Sequence, residues 1–556
     1  MIAASGRVPR VVSAAGVVVL LVALALAVSR TRTADDRASP TASPTPGATV
    51  PVIPPPPSPT PSGPSADADT LMRDPDAAEA AGAEALLAAG VTVAEGDWAD
   101  LGNPAWPVVE RPVYVGTASI EERARVDADV VVAFRTDEPT SELVLRLLPA
   151  ASALTDVSGP PTVAVRRDAR AAPHAVDRAG ALLTVTLDPP LSAGEAALVR
   201  VLVTYPLIPR DQVLDDGGPA GFGLLAWNPE VSVLGHWLPL LTAPDDAGPM
   251  LPWGDVGAFP AAVWSLQVEH GTSRLVTGAS DGPCPTRVGT DGCTWARGTA
   301  LRDVSAVAYD DGHHAQRVID GVLVRSFGPP SVDEPPVALA LEEAIVGVEL
   351  FTGRFGPLAW TEFDVAAVPL SSGAAGMEFP GLVLIRDDTY GALGAEFGSY
   401  VIAHEVAHQW FHALLGSGSL SSPVVDESLA QYASALYYDA VYGEAAAGEM
   451  VDRYLVGRYR RWRQSGGVEE PPGQPLDQFA GSASYGPLVY ARGALAWLAA
   501  EDTIGREQVV TFVASLVDRF GLGFVSDQQV VAEARAFDQQ LGEVLARYWF
   551  DPEPVP

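Results

Sequence analysis

The sequence predicts a multi-domain α+β protein in which a β-rich half precedes a half dominated by helices. Three observations predict it. From about residue 96 to 325, short runs such as ADVVVAF, LVLRLL, LLTVTL and ALVRVLVTY recur between Gly, Pro and Asp turns. Alternation with period two marks half-buried antiparallel strands. From about 326 onward, segments of helical length with Gly or Pro punctuation take over, namely PPVALALEEAIVGVELFTGRFG, FGSYVIAHEVAHQWFHALLG, SPVVDESLAQYASALYYDAVYG and SYGPLVYARGALAWLAAEDTIG. Two strand candidates, FDVAAVPL and GLVLIRDD, lie between the first two of these helices. The length of 556 residues leaves room for two to four domains.

The N-terminal end reads differently. Residues 1–10, with Arg7 and Arg10, are expected to be a cytoplasmic N-terminus ahead of an apolar run, 11–28, that carries no charge. Eighteen residues at 1.5 Å each span about 27 Å, close to the thickness of a bilayer core. The run is a transmembrane anchor or a signal; Ala25 and Ala27 supply an A-x-A cleavage pattern for the second reading. Residues 29–68 are a Pro/Ser/Thr-rich linker that cannot bury a core and acts as an extended spacer. This layout predicts a single-pass protein of the cell membrane with its folded part outside, or a secreted one if the segment is cleaved. Residues 69–95 are Ala-rich and predict a short helical segment.

Asp and Glu total 69 against 35 basic residues, all of them arginine, for a net charge of −34. Such acidity argues against a nucleic-acid partner, which needs positive charge facing the phosphates. Cys284 and Cys293 sit close together among turn formers in GPCPTRVGTDGC. Outside the cell they are expected to form a disulfide, the alternative being two free thiols. A zinc knuckle would need further ligands nearby, and the segment has none.

The chemistry concentrates in HEVAH, residues 404–408. On a helix, positions i and i+4 share a face, so His404 and His408 can point at one metal ion. Glu405, beside the first ligand, can take a proton from water activated by that metal. A catalytic zinc wants a third protein ligand and one open position. Glu427 lies on the next predicted helix, with eighteen residues between it and His408. This is the gluzincin spacing.

On these residues the chain resembles the aminopeptidase N family. HEVAHQWF (404–411) and VVDESLAQY around Glu427 match the family's two zinc helices. GMEFPG (376–381) stands where the family has a Gly-x-Met-Glu-Asn motif, and YARG (490–493) resembles its Tyr-x-Lys-Gly motif. The resemblance implies an N-terminal antiparallel β saddle domain, 96–325, followed by a thermolysin-like α/β-plus-helical zinc catalytic domain, 326–556. It implies one zinc ion, a peptide substrate, and substrate-binding roles for Gly376, Met377, Glu378 and Tyr485. Glu378 would bind the substrate's free amine and Tyr490 the oxyanion. Three positions depart from the pattern: Phe379 replaces the motif's asparagine, Asp426 stands where relatives have asparagine, and Arg492 replaces lysine. The chain also ends soon after the catalytic helices, so the family's large C-terminal helical domain is expected to be missing and the cleft more open.

The function so implied is zinc-dependent removal of N-terminal residues from peptides, with Glu405 as general base. Two alternatives stay open at this stage: a zinc endopeptidase or related hydrolase on the same fold, to which Phe379 points, and a catalytically dead surface-binding protein. His412 lies too far along the helix to join His404 on one zinc and reads as a packing residue. His313 and His314 read as exposed residues of a turn.

Overall fold

The alternating runs of the first half pair into three sheets. The computed structural model describes residues 68–122, 124–213, 218–285, 292–371, 373–391 and 396–555, and Ala68–Pro556 is a single unit. The expected anchor, 11–28, and nearly all of the linker lie outside the described residues. Among the described residues, no helix is long and apolar enough to cross a membrane.

The largest sheet has eight strands, and its centre runs Ala262–Glu269, Val113–Glu121, Arg125–Arg135, Ala196–Pro206 in spatial order. Successive side chains of a strand point to opposite faces. Val130, Val132 and Phe134 therefore enter the main core, while Val131 and Ala133 face the other way. Helices Pro75–Ala81 and Ala83–Glu95 cover that second face with Ala78, Leu86, Leu87 and Val93. Burial on both sides is why the run VVVAF loses its alternation. Asp74 caps the first of these helices, accepting from the Asp76 amide at 2.9 Å. Besides the two-residue pairing of Ile208–Pro209 with Ala226–Trp227, one pairing breaks the expected antiparallel pattern: Val113–Glu121 runs parallel to Ala262–Glu269. The two strands are far apart in sequence, and alternation says nothing about the direction of a distant partner. Cys284 and Cys293 form the disulfide at the end of an edge hairpin, with their Cα atoms 5.7 Å apart.

A separate five-stranded sheet carries the site. Its order is His313–Ile319, Val322–Gly328, Glu362–Val368, Leu382–Arg386, Gly376–Phe379. Helix Glu334–Phe355 is the crossover between the parallel strands Val322–Gly328 and Glu362–Val368. The expected domain boundary at 325/326 thus falls inside a strand. The hairpin 313–328 belongs with the catalytic sheet, and His313 and His314 open its first strand rather than lying in a turn. A strand's alternation is the same whichever sheet it joins, so the sequence could not assign this hairpin.

Two further segments differ from a plain helix. Regular helix in FGSYVIAHEVAHQWFHALLG ends at Ala407, and turns follow. The stretch read as one helix around YARG is α-helical at Ser482–Tyr485, a π-helix at Gly486–Arg492, and α-helical again at Gly493–Ile504.

Buried charged side chains knit the two halves together. Arg302 of the β half donates to the carbonyls of Phe259, Ala413, Leu414 and Gly523. The carboxylate of Asp246 accepts from the amides of Ala258, Leu420 and Ser421 and from the Ser421 hydroxyl, at 2.9 to 3.2 Å. Asp246→Ala strands these buried donors and is expected to destabilise the fold by about 3 kcal/mol. Denaturant unfolding measures this, and a loss below about 1 kcal/mol would refute the clamp.

Candidate active site and metal centre

His404 lies in the last turn of helix Glu396–Ala407. Although regular helix stops one residue before His408, the His408 amide still reaches the His404 carbonyl at 3.3 Å. The two imidazoles therefore keep the shared face, and their Nε2 atoms stand 3.1 Å apart. His408 Nδ1 lies 2.8 Å from the Phe411 carbonyl. A carbonyl only accepts, so this contact places the proton on Nδ1 and leaves the Nε2 lone pair free for a metal. Glu427 comes from the first turn of helix Val424–Tyr442, which is buried all round as far as Tyr438. Its Oε2 lies 3.3 Å from His404 Nε2 and 3.6 Å from His408 Nε2, and it is buried with no well-formed hydrogen bond. The three ligand atoms fall within 4.8 Å of one another. A buried, unpartnered carboxylate oxygen facing two imidazole lone pairs is the donor set a catalytic zinc takes.

The charge balance asks for a cation too. Glu378, Glu405 and Asp255 crowd the same spot: Glu378, Glu405 and His408 form one close group, and Asp255, Glu378 and Glu427 another. Burial, then the neighbouring Glu378 charge, push the carboxyls of Glu405 and Asp255 well above their usual range. Burial acts against charge on Glu427 as well, but the neighbouring His404 and His408 rings hold its carboxyl below that range.

Glu405 is buried, and its Oε2 has no partner. Its room comes from Gly376. A Cβ built at Gly376 would lie 2.3 Å from Glu405 Oε1 and 2.5 Å from its Cδ. Gly376 and Glu378 share the cleft face of the edge strand Gly376–Phe379. Met377 borders the cleft but lies on the opposite face, packed into the main core. Phe379 shares that buried face, with its ring 4.9 Å from that of His236 in the β half. Gln409 pins the strand from the end of the histidine segment: its Nε2 donates to the Phe379 carbonyl at 3.0 Å, and its Oε1 accepts from the Gly381 amide at 2.8 Å.

Tyr490, in the π-helical turn, lies 6.1 Å from His404 ring to ring. Burial and then the Glu427 charge raise its phenol well above the ordinary value, so it stays a proton donor. Tyr485 lies 5.8 Å from Tyr490 and has a buried hydroxyl without a partner. The other departures are structural. Asp426 accepts from the Glu427 amide at 2.9 Å and faces His412 Nδ1 at 3.4 Å. Arg492 is fully buried and donates to Glu469 at 2.9 Å.

Sequence reasoning missed two cleft residues, Asp255 and Arg458, and the buried Gln409 that supports the edge strand. Asp255 reaches the site from a loop of the β half, and no local pattern announces a contact made across halves. Gln409 stood in plain view in HEVAHQWF, but its partners are backbone atoms thirty residues upstream.

Residues 340–548 match the Peptidase family M1 domain. The fold is similar to a solved M1 zinc metallopeptidase from Deinococcus radiodurans, at 17% identity and a TM-score of 0.56 over 80% of this chain and 94% of that one. A mutant of an M1 zinc metallopeptidase from the same organism, bound to a Tyr-Ser-Ala substrate, aligns at 19% identity and a TM-score of 0.57, with 80% and 94% coverage. A two-domain M1 zinc metallopeptidase mutant bound to L-tryptophan aligns at 16% identity and 0.57, covering 82% of this chain and 97% of that one.

Proposed function

We propose that this chain, a zinc metallopeptidase built around a peptidase family M1 domain, removes residues from the free N-terminus of peptides. One observation carries the reading. Glu378 and Asp255 form a carboxylate pocket directly against the ligand Glu427, all within 4.8 Å. A protonated amine held there leaves only the first peptide bond over the metal site. The Tyr-Ser-Ala substrate of the structural neighbour is itself a short peptide.

His404, His408 and Glu427 would hold a zinc ion, which would supply the Lewis acidity that makes water a nucleophile at neutral pH. Glu405 takes the proton from the attacking water and returns it to the leaving amine. The Tyr490 hydroxyl donates to the oxygen on which charge develops. Glu378, with Asp255 beside it, offsets the desolvation of the substrate's ammonium group. Gly376 keeps the Glu405 carboxylate in place, and Gln409 fixes the strand that presents Glu378. Phe379 lends the endopeptidase alternative no support, because its ring packs against His236 rather than into the cleft.

The test compares free and N-acetylated peptides. Acetylated peptides are expected to be poor substrates. Glu378→Ala is expected to lower kcat/KM on free peptides by about ten- to a hundredfold with zinc content unchanged. If parent and variant cleave both peptide forms equally well, the amine anchor is wrong.

A further inference from the structure

The cleft that holds the site is lined by four carboxylates, those of Asp255, Glu378, Glu405 and Glu427, and by a single guanidinium, Arg458. Arg458 belongs to helix Gly457–Gln464 and is exposed. Among the described residues it makes no hydrogen bond or ion pair. Two neighbours bear on where the guanidinium lies. It lies over the Tyr490 ring, 5.3 Å from the ring centre. Gly486 leaves it space: a Cβ there would lie 2.3 Å from Arg458 Nη2. Burial raises the Tyr400 phenol, and the Arg458 charge opposes that rise.

Tyr400 belongs to an aromatic wall beside this cation. Its ring stacks on Tyr454 at 4.4 Å with 10° between the planes. Phe397 lies 6.3 Å from Tyr400 and 6.1 Å from Tyr454, and is 39% exposed despite its size. An oriented guanidinium without a partner, next to an open aromatic surface, is a receptor for a carboxylate on an apolar residue.

We infer that Arg458 binds the C-terminal carboxylate of the substrate, with the Phe397–Tyr400–Tyr454 wall beneath the last side chain, so that the enzyme prefers di- and tripeptides. This rests on the aminopeptidase reading of the same site. Length follows from reach. An extended peptide advances about 3.3–3.6 Å per residue, and Tyr490, which faces the reacting carbonyl, is also the residue under the guanidinium. One or two residues beyond the scissile bond bring a carboxylate to Arg458.

The experiment uses four forms of Leu-Ala-Phe: free, N-acetylated, C-amidated, and blocked at both ends. They are assayed with the parent chain, Arg458→Met and Arg458→Lys, and each protein is checked for zinc content and unfolding temperature. In the parent, amidation is expected to lower kcat/KM about tenfold or more, mainly through KM. In Arg458→Met the free peptide falls to the level of the amide. Arg458→Lys, which keeps the charge but loses the planar fork, lies between. A nonapeptide with the same first three residues carries its carboxylate out of reach and is expected to ignore amidation. Should Arg458→Met not fold, the parent's response to amidation and the Lys variant decide the matter. Equal cleavage of free and amidated tripeptide by the parent overturns the proposal, as does an amide penalty that survives in Arg458→Met. The acetylation arm is read separately. A chain indifferent to acetylation but sensitive to amidation keeps the Arg458 subsite and loses the amine anchor; the reverse pattern does the opposite.

Discussion

Glu405→Gln is expected to lower kcat by about 10²- to 10⁴-fold, the usual contribution of a positioned general base. The substitution keeps the shape of the side chain and removes only its basicity. The proposed ligands His404, His408 and Glu427 are untouched, so zinc content measured by elemental analysis is expected to stay at the parent's level. KM for a free tripeptide stays close to the parent's as well, because Glu378 and Arg458 still hold the two ends. Loss of activity together with loss of zinc would place Glu405 among the structural supports of the metal instead. Retention of more than about a tenth of the parent's kcat would remove it from the chemistry.

Gly376→Ala is expected to cost about a hundredfold in kcat/KM with little change in stability. The added methyl would stand 2.3 to 2.5 Å from the Glu405 carboxylate, a separation real atoms do not tolerate. The carboxylate end of Glu405 is the part free to yield, and a displacement of about 1 Å in a reacting group is worth a factor of that order. The effect should fall on kcat more than on KM. A Gly376→Ala enzyme with parental kcat would show that the base is placed from elsewhere. The comparison also separates the two acids: Gly376→Ala should slow acetylated and free peptides alike, whereas Glu378→Ala should act on free peptides.

The candidate metal cluster could be read from the sequence because its geometry is local. His404 and His408 are tied by helical spacing, and Glu427 follows at a fixed interval on the next helix. The same holds for Cys284 and Cys293, which lie across one hairpin. What stayed hidden depends on contacts between distant segments. Asp255 enters the cleft from the β half, Gln409 binds backbone atoms of the edge strand, and the hairpin 313–328 joins the catalytic sheet although its alternation resembles that of the strands before it. Phe379 shows the opposite error. Within GMEFPG it looked like a change in the cleft, yet one step along a strand turns a side chain to the other face. The replacement is absorbed by the packing against His236.

The guanidinium of Arg302 has a bearing on how the chain acquires its structure. It makes four hydrogen bonds, one to a carbonyl of the β half and three to carbonyls of the helical half, so neither half can satisfy it alone. Burial holds its ionisation down to about 9, the mark of a cation with no carboxylate beside it. Such a group is costly until both sets of carbonyls are in place. The two halves should therefore melt in one cooperative transition rather than two. A catalytic half expressed from residue 313 onward would leave the Ala413, Leu414 and Gly523 carbonyls without their donor, beside the open ends of the histidine and glutamate helices, and would not be expected to hold the metal ligands in register.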